Sequence, residues 1–267
     1  KVPEDFSFGE FPENLEHFEP YLNACMKRFP ILETAGIRKF FAGPESFTPD
    51  TNTLLGEVPE IKNFFVCSGL NSIGIGSGGG VGKVTAEWLM NGHINEDIFN
   101  YDIKRFQKFH SSLGFIKNRI TETLGDLYGM HWPFKQHKTS RNIMTTPYHE
   151  ELSKLGACFG VSGGYERPMW FAQNEKKPEY EYSYNYQNWY PSVEFETKNT
   201  VKNIGLFDLT PFSKFELKGE NAHEVLQKLC TANIKHEIGK CTYTQMLNPD
   251  GGIETDLTVV CLGKNYF

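Results

Sequence analysis

The sequence predicts an α+β protein, because helical and strand-like apolar patterns alternate along its 267 residues without an internal repeat. Apolar residues recur every three or four positions in residues 14–29 and 102–124, which is the spacing of one helix face. Apolar runs at residues 37–42 and 64–70 have the length of strands. Residues 242–248 and 254–262 flank a tight Pro-Asp-Gly-Gly turn, which predicts a β-hairpin.

The composition excludes several classes of protein. The net charge of -6 disfavours a nucleic-acid partner, because binding to phosphates needs a basic face. No apolar run approaches the roughly 20 residues that span a bilayer, so no membrane partner is expected. The six cysteines form no CxxC pair and are expected to be reduced thiols. The spacing of His131, His137 and His149 matches no common ligand pattern, so no metal is predicted.

The remaining elements follow from local patterns. A helix is predicted from Val81 to Met90, with Gly92 as its stop, and the single helix over 102–124 is predicted to begin at Asp102. A short helix is expected to end at Gly156. Residues 205–219 predict a turn followed by a strand, and residues 220–230 predict a helix.

A glycine-rich segment, residues 69–82, lies between the strand at 64–70 and the helix that follows. Glycines let the backbone approach a ligand closely, and a helix N-terminus presents free N–H groups. The spacing is neither GxxxxGK[ST] nor the GxGxxG fingerprint with its distant acid. On this pattern alone, tight helix packing and ligand binding remain about equally open.

Residues 43–50 (GPESFTPD) and 54–89 (LLGEVPEIKNFFVCSGLNSIGIGSGGGVGKVTAEWL) resemble the C-terminal part of the flavin domain in the dimethylglycine and sarcosine dehydrogenase family. The resemblance implies that the loop lies over the isoalloxazine of FAD and that the next helix points its N-terminus at the flavin. The loop departs from that of dimethylglycine dehydrogenase by one residue of length. The residues implied to bind FAD are Leu70, Asn71, Ser72, Ile73, Gly74 and Ile75.

The segments DIKRF, LYGMHWPFKQHKTSRNI, TPYHEELSKLGACFG and YERPMWFA resemble the connector of the same family. Residues 205–234 and 243–262 resemble the N-terminal half of an aminomethyltransferase, the glycine-cleavage T-protein fold that binds folate. In that family an acid follows the Gly-Gly turn beside the reacting folate nitrogen, which implies Asp256 as the catalytic residue. The residues implied to line the folate site are Tyr243, Met246, Thr255, Asp256 and Leu257.

The resemblance implies three domains: residues 1–105 as the C-terminal part of an FAD-dependent amine oxidase-type domain, 106–165 as a helical connector, and 166–267 as the first part of an aminomethyltransferase-like folate-binding domain. The family's GxGxxG segment is absent, so the chain is expected to be an internal fragment that alone is inactive. The location that the resemblance implies is the cytoplasm in a bacterium or the mitochondrial matrix in a eukaryote.

The implied activity is oxidative demethylation of dimethylglycine or sarcosine by FAD, with transfer of the one-carbon unit to tetrahydrofolate. The expected substrate is a small methylated amine. The acceptor of the flavin's electrons is left open between oxygen and an electron-transfer flavoprotein. Two alternatives also fit the sequence: an aminomethyltransferase without flavin chemistry, and a non-catalytic protein resembling the regulatory subunit of pyruvate dehydrogenase phosphatase.

Overall fold

The computed structural model describes residues 5–94, 96–173 and 176–267. The chain forms two compact units, Lys1–Gly205 and Leu206–Phe267. Helices and small antiparallel sheets occur in both units, so the predicted α+β class is confirmed. The helices and strands of the first unit are α1 (Leu15–Arg28), β1 (Leu54–Glu57), β2 (Phe65–Ser68), α2 (Gly74–Asn91), α3 (Leu113–Asp126), α4 (His149–Lys154), β3 (Ala157–Ser162), β4 (Tyr165–Phe171) and α5 (Tyr190–Lys202). Those of the second are α6 (Ala222–Leu229), β5 (Cys241–Leu247) and β6 (Ile253–Val260).

Helix α1 forms where the apolar stripe predicts it. The side chain of Asn14 accepts a hydrogen bond from the backbone N–H of His17 and so caps the helix start. At the other end, Pro30 opens a short 3₁₀ turn, Pro30–Glu33. The predicted strand at residues 37–42 is wrong: only Ala42 pairs, in one isolated bridge to Phe11.

Helix α2 begins seven residues earlier than predicted, at Gly74 rather than Val81. The glycine-rich segment is therefore mostly helical, although glycine is the poorest helix former after proline. The helix ends at Gly92, which has the left-handed conformation (φ 75°) that the predicted stop requires.

The single helix predicted from Asp102 to Leu124 is wrong in its first half. Two 3₁₀ turns, Ile103–Arg105 and Lys108–Ser111, precede α3. Two side chains interrupt the pattern: Asp102 accepts from the N–H of Lys104, and Ser112 accepts from that of Phe115. Because Asp102 and Ser112 have extended backbone, each begins a new helical segment instead of continuing one.

The β3–β4 hairpin was not predicted, although its Gly-Gly turn at 163–164 is a hairpin signal. A buried ion pair braces it. Glu166 on β4 is 2% exposed and accepts two hydrogen bonds from the guanidinium of Arg141 and one from the N–H of Asn142. Arg141 also donates to the carbonyl oxygen of Phe159 on β3, so one cation links the loop before α4 to both strands.

The second unit has one apolar core. Strands β5 and β6 pair antiparallel, and α6 packs on one face of the hairpin. The strand predicted within residues 205–219 is wrong. Its last residues form an isolated bridge, in which Leu217 exchanges two backbone hydrogen bonds with Phe267. The buried core residues are Ala222, Leu226, Cys230, Ile234, Val259, Cys261 and Phe267.

Two further predictions concern the whole described chain. All six cysteines are free, as expected of reduced thiols. Within the described residues, none of the helices combines the length and the apolar character that crossing a bilayer demands.

Candidate functional site

Two regions carry the residues singled out by the sequence. The first is the turn between β2 and α2, in the first unit. Gly69 ends the strand with φ 62°, and a Cβ there would lie 2.6 Å from Cγ2 of Thr48, so only glycine fits. Asn71 and Ser72 follow with φ 48° and 67°, and the N–H of Ile73 bonds the carbonyl oxygen of Leu70. This tight turn delivers the chain directly into α2.

Among the residues that the structure describes, no side chain caps the first N–H groups of α2. Its N-cap residue, Ile73, has no side chain that could accept from the first helical N–H groups. Such a terminus carries a partial positive charge and attracts anionic or electron-rich groups. The helix surface beside it is bare backbone, since a Cβ added at five glycines would find nothing within 4 Å: Gly76, Gly78, Gly79, Gly80 and Gly82.

The six residues implied to bind FAD lie together at this turn, but they differ in exposure. Ile73 and Ile75 are exposed, at 56% and 106%, and Ser72 is exposed as well. Leu70 and Gly74 are half-buried and close to each other, because a Cβ at Gly74 would lie 3.0 Å from Cδ1 of Leu70. Asn71 is the exception: it is 3% exposed and its side chain faces the protein.

The second region is the β5–β6 hairpin of the second unit. Its turn is closed by Asn248, whose side-chain oxygen accepts from the N–H groups of Asp250 and Gly252. Gly251 has φ 83°, which a two-glycine turn accommodates without strain. The predicted hairpin is confirmed, and its register is fixed by the pairing of Gln245 with Asp256.

Side chains alternate between the two faces of a hairpin, and this alternation divides the predicted folate residues. Met246 and Leu257 pack against the apolar core, and Thr255 pairs with Met246 on that same face. Tyr243 and Asp256 lie on the opposite, open face. A ligand on one side of the hairpin therefore meets Tyr243 and Asp256 together, but not the other three.

Tyr243 and Asp256 are joined directly. The Tyr243 hydroxyl donates to Oδ2 of Asp256 at 2.9 Å, a charge-assisted hydrogen bond. This bond, followed by the negative charge of Asp256, raises the pKa of Tyr243. The tyrosine thus stays protonated while it holds the carboxylate in one orientation, on a face that is open to a ligand.

Sequence reasoning missed two neighbours of this pair. Gln245 lies opposite Asp256 in the ladder, and Thr258 lies opposite Tyr243, so both belong to the open face. The signal was available in the sequence, because residues two apart on a strand share a face. The open face of the hairpin thus includes four polar side chains, those of Tyr243, Gln245, Asp256 and Thr258.

One group of metal-binding residue types also comes together, where none was predicted. Ligand atoms of Glu122, Asp126 and His137 lie within 4.8 Å of one another. They are already engaged: Glu122 accepts from two backbone N–H groups, and Asp126 pairs with Lys135 at 2.6 Å. Burial, followed by the positive charge of Arg119, lowers the pKa of His137. The histidine spacing did not reveal this group because two of its members come from α3.

Three family models together match nearly the whole chain. Residues 2–88 match the model described as FAD dependent oxidoreductase, and residues 91–146 match the FAD dependent oxidoreductase central domain. Residues 148–267 match the GCVT N-terminal domain. The glycine turn lies within the first model and the open face of the hairpin within the third.

Several curated relatives match nearly the whole chain. The chain is 43% identical over 260 residues to 4-methylaminobutanoate oxidase (formaldehyde-forming) of Paenarthrobacter nicotinovorans, a match covering 97% of this chain and 32% of the relative. It is 35% identical to the mitochondrial pyruvate dehydrogenase phosphatase regulatory subunit of Mus musculus, with 96% and 30% covered. It is 34% identical to mitochondrial sarcosine dehydrogenase of Homo sapiens, with 100% and 32% covered. The chain thus spans about a third of the length of these relatives.

Proposed function

Because the chain belongs to the family that joins FAD-dependent oxidoreductase domains to a GCVT domain, we propose that the full-length protein oxidatively demethylates an N-methylated glycine, dimethylglycine or sarcosine. Bound FAD supplies the hydride acceptor, and bound tetrahydrofolate supplies the amine that takes up the one-carbon unit. The observation that carries the proposal is the Tyr243–Asp256 pair on an open hairpin face, in a chain that also holds the glycine turn.

The glycine turn fits a flavin ring. Exposed Ile73 and Ile75 offer apolar contacts, and bare backbone beyond them lets a flat group approach. The free N–H groups at the start of α2 stabilise the negative charge that a reduced ring carries. In this proposal the turn binds and polarises the flavin, and it takes no part in proton transfer.

The hairpin face fits a pterin. Asp256 orients the reacting amine, accepts its proton as the new bond to carbon forms, and stabilises the cationic iminium of the substrate. Tyr243 holds that carboxylate by its hydrogen bond, and Gln245 and Thr258 offer polar groups beside it. Met246, Thr255 and Leu257 support the face from its core side.

The proposed location follows the curated relatives: the mitochondrial matrix in a eukaryote, since the matching sarcosine and dimethylglycine dehydrogenases are mitochondrial, and the cytoplasm in a bacterium. A small methylated amine is the substrate, and an electron-transfer flavoprotein is one proposed acceptor of the flavin's electrons. The domain limits 1–105, 106–165 and 166–267 remain a prediction.

Anaerobic flavin reduction tests the proposed function. Full-length protein is mixed with sarcosine, dimethylglycine or 4-methylaminobutanoate, and bleaching of the flavin absorbance is followed. Rapid bleaching by sarcosine or dimethylglycine is expected. Bleaching by 4-methylaminobutanoate alone would replace the glycine substrate with the one named for the bacterial relative.

A regulatory protein is the second candidate, favoured by the 35% identity to the pyruvate dehydrogenase phosphatase regulatory subunit. The presence of an acid, Asp256, after the Gly-Gly turn, held by the hydroxyl of Tyr243, argues for catalysis. Full-length protein that binds no flavin and bleaches with none of the three amines would favour regulation instead.

Two glycine substitutions distinguish ligand binding from helix packing. Gly76→Ala and Gly82→Ala each fit into open space and are each expected to stabilise the FAD-free protein by about 0.5–1 kcal/mol. Only Gly76 lies in the first turn of α2. In Gly76→Ala the added methyl group would crowd the flavin, so the affinity for FAD should fall about tenfold or more, whereas Gly82→Ala should leave it unchanged. Thermal unfolding and FAD titration measure the two effects, and equal FAD affinity in both variants would contradict a flavin at this helix end.

Removing one hydroxyl tests the hairpin face. Tyr243→Phe is expected to lower kcat/KM for methylenetetrahydrofolate formation by about threefold to tenfold, because Asp256 loses the bond that orients it. Flavin reduction by the amine should not change. Tyr266→Phe is the matched control, since Tyr266 also donates to a carboxylate, that of Glu216, away from this face. Equal losses in both variants would argue against a role for Tyr243.

A further inference from the structure

Asn71 stands apart from the other residues of the glycine turn, because its side chain points into the protein. Its Oδ1 accepts from the backbone N–H of Thr48 at 2.8 Å and lies 3.3 Å from the Thr48 hydroxyl. Its Nδ2 donates to the carbonyl oxygen of Gly69. The buried amide of Asn71 therefore links the backbone of Thr48, distant in sequence, to that of Gly69, at the start of the turn.

The turn that these bonds hold has little freedom. Asn71 and Ser72 both have positive φ, a conformation that side-chain-bearing residues seldom adopt without local support. Helix α2 begins two residues after Ser72. A change of φ at Asn71 rotates everything that follows, so the side chain of Asn71 sets the direction in which the helix N-terminus points.

Thr48 is itself held in place by a polar network. Its hydroxyl donates to the carbonyl oxygen of Asn52 at 2.8 Å and lies 3.1 Å from Oδ1 of Asp50. Asp50 in turn receives two hydrogen bonds from the guanidinium of Arg105. Burial by itself raises the pKa of Asp50, but the hydrogen bond and charge of Arg105 outweigh it and hold that pKa below its usual value. Arg105, Asp50 and Thr48 thus form a fixed support behind Asn71.

We propose that Asn71 is a positioning residue that fixes the N-terminus of α2 against the flavin and thereby raises the flavin's midpoint potential. The proposal rests on the flavin role assigned to the turn under the proposed function. A positive helix end stabilises the reduced, anionic ring more than the oxidised ring. Asn71 reaches the flavin only through the helix it aims, because its amide is used inside the protein.

The test replaces, one at a time in the full-length protein, two asparagines whose backbone is in the left-handed conformation with glycine. Asn71→Gly removes both side-chain bonds, and glycine accepts positive φ without strain. Asn63→Gly is the matched control, since Asn63 has φ 63° and an exposed side chain. In Asn71→Gly the preference of the protein for reduced over oxidised flavin is expected to fall about tenfold. This corresponds to a fall of about 30 mV in the midpoint potential of the two-electron couple. Weaker FAD binding is expected to accompany it, and Asn63→Gly should leave both unchanged.

A second pair of variants covers failure of Asn71→Gly to fold. Thr48→Val keeps the backbone bond and the methyl contact with Gly69 but loses the hydroxyl, so a smaller fall in potential is expected; Thr48→Ser should restore it. An unchanged potential in Asn71→Gly, or in Thr48→Val if the glycine variant does not fold, overturns the positioning role even if thermal stability falls. Wild-type protein that binds no FAD overturns the proposed function itself, which separates the two failures.

Discussion

Replacing Asp256 with alanine in the full-length protein is expected to lower the rate of methylenetetrahydrofolate formation by about 100-fold or more, the range typical of a lost acid–base group. Asp256 is the carboxylate of this face that Tyr243 holds, whereas the nearby Glu254 is bonded by Asn248 of the turn. Flavin reduction by the methylated amine should continue, because the glycine turn is untouched. Unused iminium then hydrolyses, so formaldehyde is expected to rise as the folate product falls.

Two further variants sharpen this result. Asp250→Ala removes an exposed carboxylate in the turn of the same hairpin and should leave folate transfer unchanged. Asp256→Asn keeps a hydrogen-bond acceptor for Tyr243 but loses the negative charge, so it should behave almost as poorly as the alanine variant. Normal folate product from Asp256→Ala would remove the catalytic role of this residue.

The hairpin illustrates what local sequence signals can and cannot predict. Its turn was predictable because Asn248, Gly251 and Gly252 have roles that depend only on nearby backbone. The grouping of the site residues was harder, because the implied folate set joined neighbours in sequence that lie on opposite faces. The two-residue period of a strand, applied to residues 254–258, separates Asp256 from Thr255 and Leu257 from the sequence alone.

For helix α2, in contrast, helix propensity predicted the wrong first residue. Six glycines in its first nine residues cost about 6 kcal/mol of helix propensity relative to alanine, so a loop was the reasonable expectation. Part of the compensation lies outside the segment: Trp88 of the same helix covers Gly56 of β1 and meets the ring of Phe65 edge-on. Such long-range contacts cannot be derived from the local pattern.

The surroundings of the same glycines bear on the choice between ligand binding and helix packing, which the sequence had left open. Glycines selected for close helix packing would have neighbours where their Cβ atoms are missing. At Gly76, Gly78, Gly79, Gly80 and Gly82 no described atom outside the local helix backbone lies within 4 Å of that position. The described residues therefore leave bare backbone beside the first turn of the helix, at Gly76, for the flavin ring of the proposed function. The space farther along the helix suits packing by another part of the full-length protein equally well.

Breaking the buried ion pair of the first unit is expected to have the largest effect on stability. Arg141→Ala leaves the carboxylate of Glu166, 2% exposed, without its cation, which typically costs about 3–5 kcal/mol. The unit should melt about 10 °C lower. Fluorescence measures this selectively, because Trp88, Trp132, Trp170 and Trp189 all lie in that unit.

An exposed ion pair provides the control. Lys154→Ala breaks a contact of 2.7 Å with Glu151 in which both side chains are about two-thirds exposed, and it should change stability by less than about 0.5 kcal/mol. Equal melting of the Arg141→Ala and wild-type proteins would mean that Glu166 finds another partner or water. Replacing both residues by apolar ones, Arg141→Met with Glu166→Leu, should recover part of the loss, because no unpaired charge then remains buried.

The contribution of the Arg141–Glu166 pair to stability should depend on pH in one direction. Burial alone raises the pKa of Glu166, but hydrogen bonds from Arg141 and from the N–H of Asn142 hold it below the ordinary value of 4.5. A carboxyl whose pKa is lower in the folded state stabilises the fold above its unfolded pKa, and this stability is lost as the pH falls through the folded value. In Arg141→Ala the same burial, without the cation, raises the pKa of Glu166. The difference in unfolding free energy between wild type and Arg141→Ala should therefore be largest at neutral pH and shrink on acidification, as Glu166 takes up a proton first in the variant and then in the wild type. A difference that grows on acidification would mean that the pair does not favour the ionised carboxylate.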